Sequence, residues 1–179
     1  MALTKIHPLA CTTASLALVA LLAGCASAPA PFPGAIAKLE PTKGNTAQGT
    51  VRFMQLGSKV AVAGEISGLK PGAVHGFHIH EKGDCSSGDG MSTGGHFNPT
   101  GAAHGNHGHG THHTGDLPSL KADANGTASI SFSSDTITLS GPTDITGRGL
   151  IEHRDPDDYT TQPTGNSGPR IACAVITKN

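Results

Sequence analysis

The chain has no tryptophan, one tyrosine and five phenylalanines, so aliphatic and small side chains have to fill its interior. Excess charge of either sign is missing as well. Twelve Lys and Arg stand against 13 Asp and Glu, a net charge of −1, which removes the electrostatic footprint of a nucleic-acid-binding protein. The apolar run LALVALLAG near the N-terminus is too short to span a bilayer, and no segment has a convincing helical period. In abundance are 25 glycines and 12 prolines, a composition suited to short strands joined by many turns. Eleven histidines are the anomaly, ten of them between His75 and His153.

The first residues read as an address. A weakly basic start, with Lys5 and His7, precedes the apolar run, the layout of a secretory signal. Leu22-Ala23-Gly24-Cys25 then resembles a bacterial lipobox, which is cut before the cysteine as that cysteine is acylated. Cleavage after Ala26-Ser27-Ala28 is disfavoured because Pro29 would follow the cut. The expected organisation is a lipoprotein-type signal peptide over 1–24, lipidated Cys25 with a Pro/Ala-rich tether over 25–37, and one folded domain over 38–179. This puts the domain on the periplasmic face of a bacterial envelope membrane, with the outer membrane favoured.

Of four cysteines, Cys11 leaves with the signal and Cys25 is taken by lipid, leaving Cys85 and Cys173. In an exported chain such a pair is most simply a disulfide. Its loop of almost 90 residues would stabilise the fold by roughly 4 to 5 kcal/mol on the chain-entropy account. A Cys/His zinc site is the weaker alternative, since neither cysteine has a second one at ligand spacing.

TVRFMQL, KVAVAGEI, AVHGFHIH, GTASISF, DTITL and RGLIEH alternate apolar with polar or small residues, separated by turn signals such as Lys70-Pro71-Gly72 and Asn125-Gly126. An all-β domain, an antiparallel sandwich or barrel, is the economical reading. Residues 81–126 and 154–169 lack strand period and read as long functional loops. Within GFHIH, His78 and His80 stand two apart on a strand, so both imidazoles share one face and can chelate one ion.

Several motifs then occur in order. GFHIHEKGDC, GHFNP, an isolated histidine eight residues on, HTGDL, GRGLIEH and GNSGPRIAC together resemble the copper/zinc superoxide dismutases, from about residue 50 to 177. The resemblance implies a Greek-key β-barrel binding one copper and one zinc per subunit. It makes His78, His80, His96 and His153 the copper ligands, and His96, His104, His113 and Asp116 the zinc ligands, with His96 bridging the two. His113 rather than His112 keeps the H-x-G-D spacing to Asp116. Asp157 corresponds to an aspartate that hydrogen-bonds one copper and one zinc histidine, expected here to be His78 and His104. Arg170 corresponds to the arginine that guides the superoxide anion. His75 is expected to be structural, and His107, His109 and His112 to be solvated.

Against intracellular eukaryotic members, SSGDGMSTGG is longer and the loop from His153 to Arg170 is shorter, which resembles the bacterial periplasmic branch and leaves a homodimer open. Glu152 stands where an apolar residue is common; by alternation it faces away from copper, with little effect expected. Two other functions compete with a dismutase. A metal-sequestering lipoprotein would have no reason to retain Arg170 or a bridging His96. A copper-delivery module would be expected to have lost copper ligands or gained a cysteine-pair motif, and neither is seen.

Overall fold

The computed structural model describes residues 1–2 and 34–179. The expected signal peptide, Cys25 and the tether up to residue 33 lie outside the described residues. Among the described residues the secondary structure is strands and one 3-10 turn, Met91–Thr93. The strands are β1 (Gly34–Pro41), β2 (Gln48–Leu56), β3 (Lys59–Ser67), β4 (Val74–His75), β5 (Phe77–His80), β6 (Leu120–Lys121), β7 (Ala128–Ser134), β8 (Gly149–His153), β9 (Arg170–Val175) and β10 (Thr177–Lys178). They form a curled antiparallel sheet in the order β5-β8-β9-β1-β2-β3-β7, with β10 on β1 and a small β4–β6 pair beside it. The jumps from β3 to β7 and from β5 to β8 join non-consecutive strands, the Greek-key feature that the resemblance implies.

The core follows from period two. Val51 and Phe53 on β2, Val60, Val62 and Ile66 on β3, Phe77 and Ile79 on β5, and Ala128 and Ile130 on β7 all point inward. Ala35, Ala37 and Leu39 join them from β1. β1 therefore begins at Gly34, four residues before the domain start expected at 38. Its inward residues are mostly alanines, so a true strand resembles an Ala-rich spacer in sequence.

A second correction concerns DTITL, which is not a strand. Ile137 and Leu139 are buried as their alternation suggests. The chain leaves the sheet edge after Ser134, however, and turns back on itself, with Thr138 bridging Asp144 and the Leu139 N–H donating to Gln55 Oε1. β9 was legible as a motif but not as a strand, because residues 171–174 are buried on both faces and show no alternation.

β5 and β8 carry the site. Phe77 and Ile79 fill the core while His78 and His80 emerge on the opposite face. On β8, Leu150 and Glu152 face the core, and Ile151 and His153 the other way. A register irregularity between Glu152 and His153 sets His153 opposite Arg170 on β9. The 81–119 loop is pinned to the free edge of β5: Phe97 N–H donates to Ile79 O, Ile79 N–H to Gly115 O, and Gly115 N–H to Phe97 O, all at 2.8 Å. Only glycine fits at 115, since a Cβ would overlap the Ile79 carbonyl oxygen. Cys85, in the same loop, is disulfide-bonded to Cys173 on β9 across a Cα–Cα distance of 6.0 Å.

Glu152 does face away from the histidines, but into the core opposite Phe77 and Ala172. It is 0% exposed, and neither carboxyl oxygen has a hydrogen-bond partner. Burial pushes its carboxyl well above the usual carboxylate range, so it is held as the neutral acid. Glu152→Leu is expected to stabilise the metal-loaded protein by about 1–3 kcal/mol, the cost of a buried polar group without a partner. A denaturation midpoint that stays unchanged or falls would contradict this.

Candidate metal centre

Two groups of buried side chains meet at the end of β5. The first is His78, His80, His96 and His153, each offering one nitrogen, with the four nitrogens within 4.8 Å of one another. Each ring is oriented by a hydrogen bond from its other nitrogen, that of His96 reaching Asp116 in the second group. His78 Nε2–H donates to Asp157 Oδ2 at 2.7 Å, His80 Nδ1–H to Gly94 O at 2.9 Å, and His153 Nδ1–H to Gly168 O at 3.1 Å. These bonds select the tautomer and leave a lone pair on the inward nitrogen. Eight buried side-chain polar atoms among the described residues have no partner. Four of them are His78 Nδ1, His80 Nε2, His96 Nε2 and His153 Nε2. Four converging lone pairs without a donor are what a bound cation would satisfy.

The second group is His96, His104, His113 and Asp116. Asp116 Oδ1 lies 2.8 Å from His96 Nδ1, 3.0 Å from His104 Nδ1 and 3.4 Å from His113 Nδ1, and the His96 and His113 Nδ1 atoms are 3.4 Å apart. Ligands at zinc bond lengths on a tetrahedron stand about 3.3 Å apart, so three imidazoles and one carboxylate fit a closed zinc site. Asp116 Oδ2 points outward and accepts the N–H groups of His113 at 2.8 Å and Gly105 at 3.1 Å. His96 belongs to both groups, Nε2 in one and Nδ1 in the other.

Charge differs between the groups. Burial lowers His78 to about 4 despite the Asp157 hydrogen bond, and takes His80 and His153 well below the ordinary histidine range. His78, His80 and His153 are therefore neutral imidazoles, ready as ligands. Burial also opposes charge on His104, but hydrogen bonds to Asp116 and Asp157 overcome it and raise His104 to about 9. Burial alone would raise both aspartates, yet hydrogen bonds from His104 and His96 hold Asp116 far below the carboxylate range, and those from His104 and His78 do the same for Asp157. The second group thus pairs the Asp116 carboxylate with a protonated His104, and a bound cation would take the place of the His104 proton.

The long loops hold these rings. Asp157 reaches His78 with one oxygen and His104 Nε2 with the other, at 2.9 Å. Gly165, at φ 65°, passes so close to Asp157 Oδ1 and His104 Nε2 that a Cβ would overlap both. His112 turns away from the second group and donates from Nδ1 to His113 O at 2.7 Å, while His75 donates from Nδ1 to His153 O at 2.8 Å. Arg170 is half-buried in a cavity of about 260 Å³ together with His80, His96 and His153. Its guanidinium donates to Gly90 O at 2.7 Å, Thr93 Oγ1 at 2.8 Å and Gly94 O at 2.8 Å. A larger hollow of about 440 Å³ lies over β1–β3, but no imidazole lines it.

The family model described as Copper/zinc superoxide dismutase (SODC) matches residues 47–176, a span that contains both groups and the disulfide. The chain belongs to the copper/zinc superoxide dismutase family. As a member it is an oxidoreductase whose substrate is superoxide and whose cofactors are copper and zinc. Among curated proteins it is similar to a Superoxide dismutase [Cu-Zn] of Paramecium bursaria Chlorella virus 1, 47% identical over 135 residues, 72% of each chain. Another relative is a Superoxide dismutase [Cu-Zn] of Onchocerca volvulus, 42% identical over 145 residues, covering 75% of this chain and 90% of the relative. A solved structure of the clock protein EA4 superposes with a TM-score of 0.75 at 43% identity, covering 82% of this chain and 94% of that one.

Two supports of the site were missed in the sequence. Gln162 clamps the His104 backbone, its Oε1 accepting the N–H at 2.9 Å and its Nε2 donating to the carbonyl at 3.0 Å. The Gly94 carbonyl accepts from both His80 and Arg170. A backbone acceptor leaves no mark on residue type, and a loop glutamine has no motif of its own.

Proposed function

We propose that this chain disproportionates superoxide at a copper held by His78 Nδ1, His80 Nε2, His96 Nε2 and His153 Nε2, beside a zinc held by the Nδ1 atoms of His96, His104 and His113 with Asp116. The observation that carries this reading is the set of four buried, partnerless nitrogens, one of them on the ring shared with the second group. Copper, when bound, supplies the one-electron exchange that takes one superoxide to dioxygen and a second, with two protons, to hydrogen peroxide, while zinc supplies fixed positive charge.

The remaining roles belong to the chain's own groups. His96 is the proton carrier: a proton held at Nε2 disturbs no hydrogen bond to carbonyl or carboxylate, and Nδ1 keeps the ring anchored in the second group. Asp157 orients His78 and His104 together. Arg170 attracts and aligns the anionic substrate in the cavity, and three hydrogen bonds to the 90–94 loop fix its guanidinium without changing its charge. Local charge has to do this work. Without Lys5, the residues after position 24 carry 11 Lys and Arg against 13 Asp and Glu.

We further propose that the chain is an exported bacterial lipoprotein of the periplasmic branch, anchored through acylated Cys25. Its support is the Leu22-Ala23-Gly24-Cys25 motif after an apolar run, together with the long SSGDGMSTGG segment and the short 154–169 loop. Cys25→Ser should shift the protein from the membrane fraction to soluble or unprocessed forms; unchanged membrane association would contradict lipidation.

For Arg170, the Ala variant should lose most of the dismutation rate with copper and zinc content unchanged, and the Lys variant should lose less. The wild-type rate should fall as ionic strength rises, and the Ala variant should respond more weakly. Full activity in a copper-loaded Ala variant would reject the role.

A further inference from the structure

Three histidines of the 81–119 loop remain unused by either group, namely His107, His109 and His112. Left-handed backbone at Gly108 (φ 75°) and Gly110 (φ 63°) folds the HGHGTH segment back on itself and returns His112 to His107. The two ring centroids are 5.3 Å apart with an interplanar angle of 53°. His104 and His113, which meet in the second group, stand 5.4 Å apart at 57°. The outer rings thus lie at a spacing and angle that two imidazoles of one group also adopt, with Nδ1 turned to the group there and Nε2 left free here.

Their tautomers are set as those of His80 and His153 are, by a bond from Nδ1–H to a backbone carbonyl. His107 Nδ1–H donates to Asp116 O at 2.9 Å, and His112 Nδ1–H to His113 O at 2.7 Å. Each ring therefore keeps its Nε2 lone pair free, the form in which histidine binds metals. His109 is oriented likewise, donating from Nδ1 to His107 O at 3.2 Å, and is exposed. The exposed carboxylate of Asp135 adds negative charge that acts on His107. Both rings of the pair are only partly covered, so water retains access to them.

From this geometry we infer that His107 and His112 form a third, surface metal site that takes an imidazole-seeking divalent ion, zinc or copper, through their Nε2 atoms. Two protein nitrogens with the remaining positions open to water make it weaker and faster-exchanging than the buried sites. It adjoins the zinc ligands, since His112 precedes His113 in sequence and His107 is bonded to the Asp116 carbonyl.

The test uses untagged full-length protein with both buried metals in place, so its failure is separate from that of the dismutase assignment. Equilibrium dialysis against Zn(II), with bound metal counted by mass spectrometry, should reveal one exchangeable ion beyond the two retained. In the His107→Gln/His112→Gln double variant that ion should bind at least about tenfold more weakly, since even removing a hydrogen-bond partner of a metal ligand costs that much. Its two tight metals and its dismutation rate should be unchanged. On the wild-type protein, requiring no substitution, Zn(II) should shift the ring resonances of His107 and His112. No third ion in the wild type, equal affinity in the double variant, or unshifted resonances of both rings would overturn the site.

Discussion

A single imidazole ties the site together. His96 places one nitrogen among three neutral imidazoles and the other against Asp116, so neither group can form without the ring that completes its neighbour. The consequence is conformational as well as chemical. His78 and His80 are fixed by a strand, whereas His104, His113 and Asp116 come from a loop, and the shared ring forces loop and strand into one register. The loop meets this demand with backbone hydrogen bonds to the free edge of β5 around Ile79, where Gly115 allows close approach.

Around that ring the protein settles each remaining nitrogen by hydrogen bonding. Asp157 orients one histidine from each group, and the carbonyls of Gly94 and Gly168 orient two more. The result is two electrostatically different environments side by side. One is made of imidazoles alone and opens to a cavity containing Arg170. The other holds the Asp116 carboxylate, is closed, and is supported by Gln162. Redox chemistry suits the first and a permanent ion suits the second, a division that follows from burial and from the placement of two aspartates.

Much of this was legible in the residues. The i, i+2 spacing of His78 and His80 requires a shared strand face, and the H-x-G-D spacing singled out His113 over its neighbour His112. The Cys85–Cys173 pairing followed from an expectation of export and from elimination, and the two long loops from their missing strand period. What could not be read has identifiable causes. Small alanines disguised β1 as a spacer, burial on both faces erased alternation in β9, and the turn after Ser134 made DTITL a buried loop in spite of its pattern. Glu152 was correctly expected to face away from the histidines, but strand parity says nothing about partners, and its isolation in the core emerged only from the packing.

The account rests on one ring serving two metals. Its most direct test is a crystal structure of the copper- and zinc-loaded protein, with anomalous differences collected at both absorption edges. A copper peak among His78, His80, His96 and His153, with a zinc peak among His96, His104, His113 and Asp116 on the other nitrogen of His96, is the predicted result. Zinc and copper peaks that do not share His96, or a zinc peak coordinated by His112 in place of His113, would contradict it.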